Sequence, residues 1–206
     1  MRARYPVSPR AVNKGSRAFR THESRDAMYK VATFLVDHFW GKPREMADAL
    51  GVLLLTWNNA LYRYGSFDFS ALEKTLRKSM ALLNGFRKRD IKSYSKNDRT
   101  VVEELFNAFL DALKIADGKS KGRRSPVAVS KALHLLAPSF FPLWDDKIAK
   151  DYKCNYSTNP SAKYLTFIRI VKNMAEDLDG KIQTHGATVL KIIDEYNYAK
   201  FTKQWT

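Results

Sequence analysis

Residues 130–150 read SKALHLLAPSFFPLWDDKIAK, and three of their side chains could do chemistry. Lys131 carries an amine, and Asp145 and Asp146 form a double carboxylate fourteen positions further on. The carboxylates stand out because the chain around them is basic. The sequence has 36 Lys and Arg against 21 Asp and Glu, a formal net charge of +15. A domain this positive usually meets a polyanion, most often nucleic acid. The loop ahead of Lys131, GKSKGRRS (residues 118–125), offers two glycines and four basic side chains: Lys119, Lys121, Arg123 and Arg124. A glycine-rich loop feeding a helix start presents free backbone N–H groups, an arrangement that suits phosphate. Downstream, APSFFP breaks the helix and turns the chain, so Asp145 can return toward Lys131. Each residue also has a plainer use. Asp145 or Asp146 is a natural helix N-cap, Lys131 a solvent-facing helix lysine, and the basic loop a solvated surface.

The elements that must position these groups read as helices throughout. Residues 1–22 are basic with Pro, Ser and Gly, and read as a mobile arm; residues 23–206 read as a single all-α domain. Met28, Val31, Phe34, Leu35 and His38 recur at helical steps. The next helix should start at Pro43 and run to Gly65, and its apolar middle predicts burial on nearly all sides. Asn58 and Asn59 interrupt that apolar run, which is unusual because Asn favours helices poorly. SALEKTLRKSMALLNG opens with a capping box, Ser70 to Glu73, and closes at Asn84-Gly85. Another helix should end near Gly118. Ser125 then caps a helix with Pro126 in its first position, running to about Leu136. Helices over KIAKDY, NPSAKYLTFIRIVKNMAEDL and GATVLKIIDEYNYAKF complete the set.

Composition narrows the chemistry further. With Cys154 the one cysteine, the sequence offers no intramolecular disulfide and no cysteine zinc cluster. The four histidines lack metal-ligand spacing, so neither metal nor cofactor is expected. GVLLLTW, the longest apolar run, is too short to span a bilayer, and the basic N-terminal stretch lacks the apolar segment of a signal peptide. A cytoplasmic, nucleoid-associated monomer is the expectation.

Two separated motifs resemble those of the helix-hairpin-helix DNA glycosylases, the superfamily of endonuclease III and 8-oxoguanine glycosylase. In PVAVSK, Lys131 lies five residues after Pro126, the family's spacing from hairpin proline to catalytic lysine. WDDKIAK resembles the family's Val-Asp-x-His-Val-x-Arg. With Asp145 as the family aspartate, Ile148 takes the apolar place and Lys150 the basic one; with Asp146, those places fall to Ala149 and Asp151. The register favours Asp145. LLLTWNNALYR resembles the Ser-Ser-Asn-Asn-Asn-x-x-Arg helix of the 8-oxoguanine branch, and anchoring on Arg63 puts Asn58 where that branch contacts the orphaned partner base. The departures are specific. Val127 and Val129 replace the hairpin glycines, the gap from Lys131 to Asp145 is shorter than usual, and no iron–sulfur cysteines follow.

The resemblance implies a two-lobed helical fold with a central cleft, and base excision from double-stranded DNA through a flipped nucleotide. Breaking an N-glycosidic bond builds positive charge on the sugar. Asp145 would stabilise it, and the Lys131 amine would attack the sugar carbon, adding strand cleavage where it does so. Asn58, with Trp57 and Asn59 beside it, would fill the vacated place in the stack. Tyr62, Tyr64 and Trp144 would stack on the extruded base. Arg63 and the loop of Lys119, Lys121, Arg123, Arg124 and Ser125 would hold the backbone. The substrate is a damaged or modified base, with a hypermodified phage base in antiviral defence as one version. The alternative is a non-catalytic nucleic-acid-binding protein on the same scaffold.

Overall fold

A computed structural model describes residues 5–206, and among them the chain is all-α, with no strand and one isolated bridge between Phe67 and Ile115. Ten helices follow in order: α1 (Pro9–His22), α2 (Ala27–His38), α3 (Pro43–Trp57), α4 (Asn59–Tyr62), α5 (Phe69–Arg87), α6 (Arg99–Ala112), α7 (Pro126–Leu136), α8 (Asp146–Asp151), α9 (Pro160–Leu178) and α10 (Val189–Asn197). A π-helical turn, Tyr198–Thr202, continues α10. The helix starts are written in local chemistry. Proline occupies the first turn of α1, α3, α7 and α9, where its missing N–H is no loss. Ser8, Ser125, Asp145 and Thr188 each accept a backbone N–H at the start of α1, α7, α8 and α10.

Helix α7 lies at the centre. From Ala128 to Leu136 every residue is buried except Lys131. Around it close α6, α2 and α3, and the returning segment is fastened to it at Trp144 and Phe141. Trp144 stitches that return to α7. Its Nε1 donates to Pro126 O at 3.2 Å, and its own carbonyl accepts from Ser130 Oγ at 3.3 Å. Tyr164 of α9 braces the same segment by donating to Pro142 O at 2.8 Å.

Several boundaries differ from the sequence reading. The expected mobile arm is helix from Pro9 onward; residues 1–4 lie outside the described residues. Val12, Gly15, Ser16 and Phe19 are buried against α10, because the helix has an apolar face that charge counting hides. The helix from Pro43 stops at Trp57 rather than Gly65. Asn58 leaves helical geometry (φ −118°, ψ 34°) and the short α4 follows. Asp68, not Ser70, caps α5, accepting from Ser70 N at 2.8 Å, while Glu73 pairs with Arg77 instead of closing a box. Helix α5 then runs through Asn84-Gly85 to Arg87. Helix α6 ends at Ala112, well before Gly118.

The contact of α1 with α10 is close. A Cβ on Gly15 would sit 2.7 Å from Tyr196 Cδ2 and 3.0 Å from its Cα. Gly15→Leu should therefore force the two helices apart and lower stability by about 1–3 kcal/mol, read as a shifted urea midpoint. The same substitution in a mobile arm would leave the midpoint unchanged.

Candidate active site

Lys131 is the one residue between Ala128 and Leu136 that is not buried. Its Nζ donates to Trp57 O at 3.0 Å and to Asn58 Oδ1 at 2.6 Å, and lies 4.5 Å from the centre of the Trp57 ring. The break after α3 thus has a physical role. By leaving the helix, Asn58 turns its side-chain oxygen to the amine, and the carbonyl of Trp57 joins it. The Nδ2 of Asn58 is buried and has no hydrogen-bond partner among the described residues.

Asp145 comes to the same neighbourhood through the Trp144 stitch. Its Oδ1 accepts from Ile148 N at 2.8 Å as the cap of α8, and its Oδ2 accepts from Thr202 Oγ1 at 2.5 Å. Asp146, next in the chain, is exposed and pairs with Lys150 at 3.0 Å. The two adjacent carboxylates therefore separate: Asp145 is turned inward and held, and Asp146 faces solvent.

Helix α10 supplies a third side of the site. Asp194, with its side chain only 14 % exposed, lies 3.9 Å from Lys191 Nζ. Lys191 is itself buried and directs its ammonium to Asp26 at 2.8 Å, over the rings of Tyr29 and Phe19. Tyr29 Oη and His134 Nε2 are 3.0 Å apart, and His134 Nδ1 lies 2.7 Å from Phe141 O. Burial pulls the fully enclosed His134 imidazole down to about 4, so it is neutral and structural at pH 7.

The electrostatics follow from this enclosure. Burial pushes the Lys131 amine down to about 8, opposed by the negative fields of Asp194 and Asp145. Burial pushes Asp194 up to about 7; Lys191 opposes the rise, while Asp145, Glu195 and Asp26 reinforce it.

The other sequence candidates divide into two groups. Trp144 is buried among Tyr156, Tyr164 and Phe167, and Tyr62 is buried with its hydroxyl on Leu113 O at 2.8 Å. Neither can present a ring face to an incoming base; they are core, and Trp144 positions Asp145. Ser125 spends its hydroxyl on the Ala128 N–H as the cap of α7. Asn59, Arg63, Tyr64, Lys119, Lys121, Arg123 and Arg124 are exposed, with Arg124 also paired to Asp111. The basic loop and the turn after α4 are locked together. Ser66 N donates to Asp117 Oδ1 and Ala116 N to Ser66 O, both at 2.7 Å. Gly118, at φ +71°, approaches so closely that a Cβ there would lie 2.1 Å from Tyr64 O. The hairpin positions Pro126–Lys131 are simply the first turns of α7, where Val127 and Val129 need no glycine freedom. The loop before it does carry two left-handed glycines, Gly118 and Gly122.

Asp194, Lys191, Asp26 and Thr202 were not singled out in the sequence. Asp194 and Lys191 stand three apart on a helix, which reads as an ordinary solvated pair. Two open depressions, of about 360 and 620 Å³, lie elsewhere, the larger between Arg124, Pro126, Tyr156 and Pro160. Among the described residues no three His, Cys, Asp or Glu side chains gather as metal ligands, and no helix is long and apolar enough to cross a membrane. No protein-family profile, curated protein or solved structure matches the chain.

The buried ammonium should leave a signature in stability. Below pH 8 Lys131 is charged in both folded and unfolded chains, and the fold carries the whole desolvation penalty. As pH rises from 8 to 10.5 the folded amine has already lost its proton while the unfolded one still holds it, so stability rises. Relative to Lys131→Met, the wild type should gain about 3 kcal/mol between pH 7 and pH 11, measured by urea denaturation. A difference independent of pH would show that the amine is not held in this enclosure.

Proposed function

We propose that this chain is a divergent helix-hairpin-helix DNA glycosylase of two lobes, which excises a damaged or modified base from DNA in the cytoplasm. The observation that carries the reading is the enclosure of Lys131 by Trp57 O, Asn58 Oδ1 and the Trp57 ring, on a stretch of helix whose other residues from Ala128 to Leu136 are all buried. A binding protein has no need to enclose an amine and lower its hold on a proton. A nucleophile attacking a sugar carbon does.

In this mechanism the exposed basic loop, Lys119 to Arg124, with Arg63 beside it, takes the phosphate backbone. The base leaves the stack. Asn58 positions the Lys131 amine through its Oδ1, and exposed Tyr64 takes the stacking role that Trp144 and Tyr62 cannot fill. Asp145, oriented by Thr202 and the α8 N-terminus, steadies positive charge on the sugar as the glycosidic bond breaks. The Lys131 amine attacks the sugar carbon.

Incubation with duplexes carrying oxidised, alkylated or hypermodified bases, followed by alkali cleavage and analysis of released base, tests the reading. The wild type should release base from at least one of them. Asp145→Asn should cut the single-turnover rate by about 10²–10³-fold while leaving duplex affinity within twofold. Equal product from Asp145→Asn, or none from the wild type, would remove the enzyme reading.

The alternative, a non-catalytic nucleic-acid-binding protein, draws on the locked and exposed basic loop alone. Under either reading Lys121→Ala with Arg123→Ala should weaken duplex binding uniformly across sequences and flatten the dependence of log K on log salt by about two phosphate contacts, measured by fluorescence anisotropy. An unchanged slope would place the DNA elsewhere on the molecule.

A further inference from the structure

Helix α1 carries positive charge and no Asp or Glu. Arg10, Lys14 and Arg17 follow one another at helical steps of four and three, and all three are exposed. None of them is paired with a carboxylate among the described residues. The buried face of the same helix is locked on α10 where Gly15 meets Tyr196, so the basic stripe has a fixed backing.

The stripe ends in an open depression of about 360 Å³. Arg17, Arg20 and Asn13 line it together with Gln183 and His185 from the turn before α10, and no apolar side chain is in its wall. Gln183 N donates to Asn13 Oδ1 at 3.3 Å, which ties that turn to α1. One buried carboxylate meets this group. Glu195 accepts from Ser16 Oγ at 2.5 Å and from Arg20 Nε at 3.1 Å. The second bond fixes one edge of the Arg20 guanidinium, while its two terminal nitrogens have no partner among the described residues. A guanidinium carries five N–H donors in a planar fork that matches a phosphate, and one already oriented loses less freedom when it binds.

We propose that the outer face of α1, from Arg10 to the depression at Arg17 and Arg20, is a second docking surface for the phosphodiester backbone of nucleic acid, with Glu195 as the residue that positions Arg20. The inference rests on the nucleic-acid-binding role that the glycosylase reading and its alternative share, and it does not require base excision. Charge selects the occupant. Walls without apolar surface offer nothing to a hydrophobic peptide or an acyl chain. A lone anion would use the depression only, whereas the stripe leading out of it suits a chain of charges. Arg10 to Arg17 spans about 10 Å of helix, enough to face several charges of a duplex that carries one per ~1.7 Å of its axis.

Fluorescence anisotropy with a labelled duplex, repeated across a salt series, tests the surface. Lys14→Ala with Arg17→Ala should weaken binding about tenfold near 0.1 M salt and flatten the slope of log K against log salt by about 1.8, the loss of two phosphate contacts. Lys74→Ala with Lys78→Ala removes the same charge from the exposed side of α5 and should flatten the slope by less than about 0.5. Glu195→Gln gives the sign test. It deletes a negative charge, so attraction to the whole molecule would tighten binding, while loss of the Arg20 orientation should weaken it at least about threefold. Arg20→Lys keeps the charge, loses the fork and should weaken binding likewise. Urea midpoints identify which variants are folded, and Arg20→Lys carries the test of positioning if Glu195→Gln is not. Wild-type affinity and slope in the α1 pair, or an equal loss in the α5 pair, overturns the surface. Unchanged or tighter binding by folded Glu195→Gln, or wild-type affinity in Arg20→Lys, overturns the role of Glu195. A duplex bound by the wild type and indifferent to α1 leaves the glycosylase and binding readings standing. No salt-dependent binding of any duplex by the wild type defeats those readings, and this surface with them.

Discussion

A helix covered on every side tolerates a charge at only one kind of place, where the covering stops. Helix α7 is such an element. Eight of its last nine residues are buried, and Lys131 is the exception. The α3 terminus supplies that amine with a carbonyl and an amide oxygen. Across the short gap between Lys131 and Asp145, Trp144 fastens the returning chain directly to Pro126 and Ser130. The large apolar run between them is the clamp that fixes their relation.

The polar cluster is expensive. Burying Lys131, Lys191, Asp194 and Glu195 in one small region removes each from water, and only some recover full hydrogen bonding. A core built for stability alone would replace Lys131 and Asp194 with apolar residues of similar volume. The Asn58 amide nitrogen is also buried with no partner among the described residues.

Much of this was legible in the sequence, and the limits have physical causes. Ser125, Pro126 and Asp145 were readable as helix starts because capping is local chemistry, and the structure uses all three so. The stop at Asn58 was not readable, since its reason is an amine 73 residues away. Trp144 and Tyr62 resembled stacking surfaces because an aromatic side chain looks the same in a core and in a cleft. Helix α1 was hidden by its basic outer face, which outweighed Val12 and Phe19 in composition. Asp194 carried no local signal at all. Its meaning comes from Lys191 turning toward Asp26, a choice made only when α10 meets the residues before α2.

The interlocked turn and loop at Tyr64–Ser66 and Asp117–Gly118 bear on how fast such a molecule can meet a polyanion. Long flexible loops lose conformational entropy when they seize a ligand. Here two glycine-permitted close approaches and paired backbone hydrogen bonds have already removed that freedom during folding. The cationic side chains project from a prearranged rim, so on the proposed nucleic-acid-binding role capture would be governed by long-range attraction and orientation, with little of the encounter lost to waiting for a loop to settle.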